Sequence, residues 1–208
     1  MKLLLVDDHA LFRDALSLLI DQQLDGPALL HAGTLATALQ VLRANADVSL
    51  ALLDLGLPDS QGLGTLTRLR EAAPGVTVVV LSADEHRETI LAAIDAGAAG
   101  FIPKTACGGT LAKALRVVLD GGVYVPPAAL DAPVPSTVAP LDLSPRQFDV
   151  LRLLIEGKCN KLICRELDLA ESTVKTHLGA IFRRLGVNSR TQAVLAAARL
   201  GLRLPRFV

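Results

Sequence analysis

The chain contains no tryptophan, so whatever core it builds must be largely aliphatic. Its apolar residues, 51% of 208, are mostly Leu, Ala and Val, enough for two cores. No apolar run approaches the roughly 20 residues that a membrane helix needs, so no membrane role is expected. The sequence starts directly on a strand signal, without a leader pattern, and a cytoplasmic location is expected. Cysteine is scarce. Cys107, Cys159 and Cys164 make an odd count with no zinc-knuckle spacing. That excludes a disulfide framework and predicts free, partly buried thiols. Net charge is also absent, with 21 basic against 21 acidic residues. The balance hides a segregation. Residues 1–140 hold 9 Lys+Arg against 15 Asp+Glu, and residues 141–208 hold 12 against 6. A basic C-terminal part on a neutral chain points to a polyanionic partner for that part alone. No internal repeat is evident.

What is present is a set of short apolar runs, each ending in a polar residue. Leu3-Leu4-Leu5-Val6 ends in Asp7-Asp8, and Leu50-Ala51-Leu52-Leu53 ends in Asp54. Val76 to Leu81 ends in Ser82, and Ala99-Gly100-Phe101-Ile102 precedes Lys104. Such runs, separated by helical stretches, read as parallel strands near 2–6, 28–32, 49–53, 76–81 and 99–102. Five strand–helix units predict an α/β, flavodoxin-like, doubly wound five-stranded parallel sheet. Functional groups of such sheets collect beyond the carboxyl ends of the strands. Three carboxylates, a hydroxyl and a lysine should therefore converge at one edge. Close carboxylates repel one another, and oxygen ligands beside a phosphate favour Mg2+. A carboxylate can also act as nucleophile and form an aspartyl phosphate. Helix capping would explain any one of these residues, but not the whole set.

The pattern Leu5-Val6-Asp7-Asp8-His9, Asp54-Leu55-Gly56-Leu57-Pro58 with Gly62, Leu81-Ser82-Ala83 and Gly100-Phe101-Ile102-Pro103-Lys104 resembles bacterial response-regulator receiver domains. The resemblance spans about residues 1–120. It implies that Asp54 is the phosphoacceptor. It makes Asp7, Asp8, Asp54 and the Gly56 carbonyl the Mg2+ ligands. Ser82 and Lys104 would hold the phosphoryl group, and Phe101 would be an aromatic switch paired with Ser82. Phosphorylation would pull Ser82 and Phe101 inward and alter the surface of the fourth and fifth units. Leu57 stands where methionine is common, and Thr105 where many receivers carry proline.

Residues 121–141 carry five prolines and read as an extended, semi-rigid linker without helix. From 142 to 208 only helix signals remain. Ser144-Pro145 caps a first helix burying Phe148, Leu151, Leu154 and Ile155, and Gly157 ends it. A second helix, about 159–167, buries Leu162, Ile163 and Leu167. Ser172 or its neighbour caps a third, about 172–185, with Val174, Leu178, Ile181 and Leu185 inward. Its outer face carries Ser172, Thr176, Gly179 and Arg183, with Lys175 at the edge. Two helices joined by a short turn, the second polar and basic outside, read as a helix-turn-helix. A fourth helix, about 190–200, is apolar on two faces, with Val194, Leu195 and Ala198 placed toward the core.

Leu143-Ser144-Pro145-Arg146-Gln147, Gly157-Lys158-Cys159-Asn160-Lys161, Ser172-Thr173-Val174-Lys175-Thr176-His177-Leu178 and Leu185 through Ala193 resemble the LuxR-type DNA-binding domain. With the receiver, the whole chain resembles a NarL/FixJ-type response regulator. The resemblance implies that Lys175, Thr176 and Gly179 meet the major groove and that Lys161, Ser172 and Thr173 lie near phosphates. His177 flanks the core. Ala193, Ala196, Ala197 and Leu200 form the expected dimer face. The implied function is a phosphorylation-controlled transcriptional regulator, not an enzyme. Its partners would be a sensor histidine kinase or small phosphodonor, double-stranded promoter DNA and a second copy when phosphorylated or on DNA. The resemblance also allows RNA polymerase as a partner. One rival, an Asp-nucleophile phosphatase, would place Asp-x-Asp after the first strand and carry a substrate cap. The other rival is a receiver that answers a ligand or partner without phosphorylation.

Overall fold

The computed structural model describes residues 2–23, 28–106, 108–130 and 142–202. The elements are β1 (Lys2–Val6), α1 (Ala10–Gln23), β2 (Ala28–Ala32), α2 (Leu35–Ala44), β3 (Val48–Asp54), β4 (Gly56–Leu57), β5 (Ser60–Gln61) and α3 (Leu63–Ala72). There follow β6 (Thr77–Ser82), α4 (Arg87–Asp95), β7 (Gly100–Pro103), α5 (Gly108–Leu119), α6 (Pro127–Leu130), α7 (Pro145–Ile155), α8 (Asn160–Leu167), α9 (Glu171–Leu185) and α10 (Arg190–Arg199). Two compact units divide at Arg116/Val117, within α5.

The first unit holds a parallel sheet in the order β2-β1-β3-β6-β7, as the five apolar runs predict. The central runs are solvent-free on both faces: Leu3 to Val6, Ala51 to Leu53 and Val79 to Leu81 are all fully buried. Register does the positioning. Val6 pairs with Leu53, Asp54 with Leu81, and Ser82 with Pro103. The polar residue after each run therefore emerges at one edge. The loop after β3 is held in place from two sides. Gly62, at φ +62, donates its N–H to the Leu55 carbonyl at 2.8 Å. The Asp59 carboxylate accepts from Leu35 N and Ala36 N at 2.8 and 2.9 Å, capping α2.

The second unit begins earlier than an extended linker would allow. Pro127 opens the short helix α6 instead of excluding one, because a first-turn proline loses no helical hydrogen bond. Val123, Val125 and Ala129 are buried, and α6 packs on α10. Gly122 sits so tightly that an added Cβ would lie 2.4 Å from the Gly157 carbonyl. The rest of the expected linker, 131–141, lies outside the described residues.

Helix α7 starts at Ser144 with a full capping box to Gln147 and Pro145 in its first turn. Leu151, Leu154 and Ile155 are buried as expected, but Phe148 is 47% exposed. Likewise α8 buries Ile163 while Leu162 is 40% exposed. At α9 the N-cap is Ala170, with no side-chain cap, so Ser172 lies inside the first turn. On α10 the expected faces are partly exchanged. Ala193 and Ala197 are fully buried, while Ala196, Ala198 and Leu200 are half-buried. Helices α6, α7 and α9 all pack on α10, which leaves less of it open than its sequence alone implies. Arg190 at its start donates to Asn160 Oδ1 at 2.5 Å and to the Lys158 carbonyl at 2.6 Å. These bonds tie α10 to the start of α8, and burial lowers the Arg190 pKa. Cys159 and Cys164 are free and half-buried, as expected, and Cys107 lies outside the described residues.

Candidate phosphoacceptor site and nucleic-acid face

At the carboxyl edge of the first unit's sheet, Asp7 and Asp54 are buried and Asp8 is exposed. Lys104 links the two buried acids. Its ammonium donates to Asp54 Oδ2 at 2.6 Å and lies 2.7 Å from Asp7 Oδ2. Its charge therefore sits against one oxygen of each buried acid. Burial lowers the Lys104 pKa, but Asp54 and Asp7 more than offset it and the net shift is upward. Lys104 Nζ also stands 5.0 Å from the centre of the Phe12 ring, a cation–π contact.

The remaining expected residues take their places around this pair. Gly56 N donates to Asp54 Oδ1 at 3.1 Å. Ser82 is buried at the end of β6, and its hydroxyl accepts from Asp84 N at 3.1 Å. The Lys104 N–H bonds the Ser82 carbonyl at 2.8 Å, which locks the two strand ends together. Phe101 is fully buried. It lies on β7 in register with Val80 of β6. No peptide bond among the described residues is cis, in keeping with Thr105 after Lys104.

Three contributors went unassigned in the sequence. His9 Nδ1 lies 2.8 Å from Asp8 Oδ1, 3.1 Å from Asp7 Oδ1 and 4.0 Å from Asp54 Oδ2. Asp7, Asp8, His9 and Asp54 form one group whose ligand atoms all lie within 4.8 Å of one another. The signal for His9 was its place next to the acid pair. Arg13 donates to the Asp7 carbonyl at 2.7 Å, holding the acid's backbone from one turn into α1. Thr105 bonds Glu85, joining the loops after β7 and β6. Neither of these last two had a local signal.

In the second unit α9 buries Val174, Leu178 and Ile181 and exposes Ser172, Lys175, Thr176 and Gly179. Thr173, His177 and Leu185 are half-buried, and Lys161 on α8 is exposed. Nothing lies within 4 Å of a Cβ built on Gly179, so that position opens on free space. Two side chains are engaged. Lys175 pairs with Glu171 one turn earlier at 2.7 Å, and that bond raises the lysine's pKa. Thr176 donates to the Ser172 carbonyl at 2.9 Å. Arg183 and Arg184 add positive charge to the last turn.

Residues 3–116 match the response regulator receiver domain, and residues 141–197 match bacterial regulatory proteins of the luxR family. The chain is 37% identical to the glycerol metabolism activator of Pseudomonas putida over 94% of each chain. It is 33% identical to the nitrate/nitrite response regulator NarL of Escherichia coli over 93% of each. A LuxR-family DNA-binding response regulator from Silicibacter pomeroyi matches with TM-score 0.53 and 34% identity, over 61% of this chain and 98% of that one. The RcsB response regulator of Salmonella typhimurium shares the fold, with TM-score 0.57 at 20% identity over 93% of this chain and 96% of that one. A receiver followed by a LuxR-type helix-turn-helix, with full-length relatives of the same build, places this chain in the NarL/FixJ family of two-component response regulators, the phosphorylation-controlled DNA-binding regulators of transcription.

Proposed function

We propose that Asp54 is the phosphoacceptor of this regulator, and that a sensor histidine kinase or a small phosphodonor supplies the phosphoryl group. The observation that carries the proposal is the Lys104 bridge between Asp54 and Asp7, 2.6 and 2.7 Å from its two acids. It puts a cation beside a nearly buried carboxylate that still reaches the sheet edge. An Asp54 oxygen would bond to phosphorus while the bond from phosphorus to the donor breaks, its electron pair leaving with the donor. Lys104 and the Ser82 hydroxyl would then face the phosphoryl oxygens.

The residues fit a divalent cation. Asp7, Asp8 and Asp54 bring carboxylate oxygens within 4.8 Å of one another, a donor set of the kind a hard divalent cation takes. Mg2+ held by these three acids and the Gly56 carbonyl would neutralise charge developing on the phosphoryl oxygens.

On the output side, Lys175, Thr176 and Gly179 of α9 would enter the major groove of promoter DNA. Lys161, Ser172 and Thr173 would lie near phosphates. The open side of α9 supports that reading. Dimerisation, when phosphorylated or on DNA, has Ala196 and Leu200 of α10 to use, since Ala193 and Ala197 are buried. No helix among the described residues is long and apolar enough to cross a membrane, and action in the cytoplasm accords with the family. The sequence limits of 1–120 for the receiver and 142–208 for the DNA-binding part shift, because residues 117–130 belong to the second compact unit.

The test is acid-labile phosphate uptake from a small phosphodonor with and without a divalent cation. Asp54→Asn should abolish it, and removing the cation should do the same in the wild type. Labelling of Asp54→Asn at the wild-type level would refute the assignment.

A further inference from the structure

We propose that Asp59 is a positioning residue of the cation site: it ties the β4–β5 hairpin to the start of α2 and so keeps Gly56 in place beside Asp54. The proposal rests on the reading of Asp7, Asp8, Asp54 and the Gly56 carbonyl as the cation's ligands, and it adds a residue outside that set.

Strand β3 runs from the phosphoacceptor directly into the hairpin. Gly56 pairs with Gln61 and Leu57 with Ser60, which leaves Pro58 and Asp59 at the tip. Gly56, at the base, donates its N–H to Asp54 Oδ1 at 3.1 Å. The base is fixed from the α3 side. Gly62 N–H bonds the Leu55 carbonyl at 2.8 Å, and the buried Thr65 donates to the Ser60 hydroxyl at 2.8 Å. The tip is fixed from the α2 side by Asp59, whose two carboxylate oxygens accept from Leu35 N and Ala36 N at 2.8 and 2.9 Å. Pro58 locks φ at the other tip residue, so little movement is absorbed between tip and base. A displaced tip therefore displaces Gly56.

Helix capping alone does not account for this tie. α2 carries a cap of its own, the capping box in which Thr34 and Thr37 exchange side-chain-to-backbone bonds. Asp59 takes the two N–H groups in between, from 24 and 23 residues further along the chain. Burial would raise the Asp59 pKa, yet the N–H groups of Ala36 and Leu35 hold it below the ordinary carboxylate value. A carboxylate with two backbone donors at a helix N-terminus is a firm anchor, because both bonds are charge-assisted and the helix dipole favours the anion. A second support converges on the same turn. Arg13 donates to the Asp7 carbonyl at 2.7 Å, and its guanidinium stands beside Gly33, where an added Cβ would lie 3.2 Å from it. The turn into α2, residues 33–36, thus braces the loops that carry Asp7 and Gly56.

Mg2+ demands near-ideal ligand geometry, so its site must be held ready. Outer groups that orient metal ligands contribute about 10- to 100-fold to affinity. Asp59 acts through the hairpin and not on a ligand directly, which puts it at the lower end, about tenfold.

The test uses the full chain. Mg2+ binding is titrated by calorimetry, phosphate uptake from a small phosphodonor is followed against Mg2+ concentration, and the melting temperature is measured in chelator. Asp59→Ala should weaken Mg2+ binding about tenfold, while uptake at saturating Mg2+ stays within about twofold of wild type. Asp59→Asn keeps an acceptor for one of the two N–H groups and should lose about threefold. Thr34→Ala removes the cap that belongs to the helix and leaves the hairpin tied. It should lower the melting temperature yet keep Mg2+ affinity within about twofold. Mg2+ affinity at the wild-type level in either Asp59 variant overturns the proposal and leaves the cation site standing. An equal loss in Thr34→Ala also overturns it, because the effect would then belong to α2 and not to the hairpin. Failure of the wild type to bind Mg2+ overturns both the proposal and the cation reading beneath it.

Discussion

Replacing Lys104 by methionine keeps the stem length beside Phe12 and removes the charge between two buried acids. Asp7 is fully buried and the Asp54 side chain is 6% exposed, so water can replace the ammonium only in part. Removing one partner of a buried pair costs about 3–5 kcal/mol. The Lys104 side chain is itself 13% exposed, and solvent reaches one side of the contact, so about 2–3 kcal/mol is the expected loss. For a domain of this size that lowers the receiver melting temperature by about 6–15 °C. A divalent cation should reverse the loss. At a hundred times its dissociation constant it adds about 2.7 kcal/mol, and more where no ammonium competes for the same oxygens. The rise on adding Mg2+ should therefore be larger in Lys104→Met than in wild type. The pH dependence has a defined sign. The folded Lys104 pKa is raised, so its contribution is fully present below the ordinary lysine value of about 10.4. It is lost as pH rises through the higher folded value. Calorimetry of the full chain in chelator, then in excess Mg2+, measures these effects. A receiver transition within about 2 °C of wild type in chelator would refute the idea that Lys104 neutralises buried charge.

Other outcomes follow from the same contacts. Lys175→Ala should cost about 1–3 kcal/mol on a specific duplex if the residue reads a base, or weaken all duplexes alike if it meets a phosphate. Equal binding to target and random DNA by mutant and wild type, titrated at several salt concentrations, would remove α9 as the reading helix. Gly179→Lys should raise general DNA affinity and steepen its salt dependence, because the position opens on free space. Asp84 is held to a pKa of about 2 by the His86 N–H, the Thr89 hydroxyl and the His86 ring. Its support of the α4 start is fully present above the ordinary carboxylate value of about 3.9 and is lost as pH falls through about 2. Carboxyl-carbon NMR should find Asp84 titrating well below the exposed acids, and a normal midpoint would contradict the contacts.

Much of the receiver could be read from local pattern. Apolar runs that end in Asp7, Asp54 and Ser82 are solvent-free strands, and polarity changes where the chain leaves the sheet. Parallel topology then forces those ends to one edge, so the carboxylates and Lys104 were legible together. Ser144-Pro145 marked the start of α7 locally, and the structure adds the reciprocal bond with Gln147. Tertiary structure decided what period and composition could not. An amphipathic pattern shows which face of a helix is apolar, not how much of it a neighbour covers. Phe148 and Leu162 stay partly in solvent, while Ala193 and Ala197 are buried. A proline at a helix start looks like a proline in a linker until a partner such as α10 gives α6 something to pack on. Phe101 could be named as a switch, but its inward position depends on the sheet register. His9 was visible only as the neighbour of two acids. That its nitrogen falls between Asp7, Asp8 and Asp54 depends on the β1–β3 register, which brings together residues more than forty positions apart.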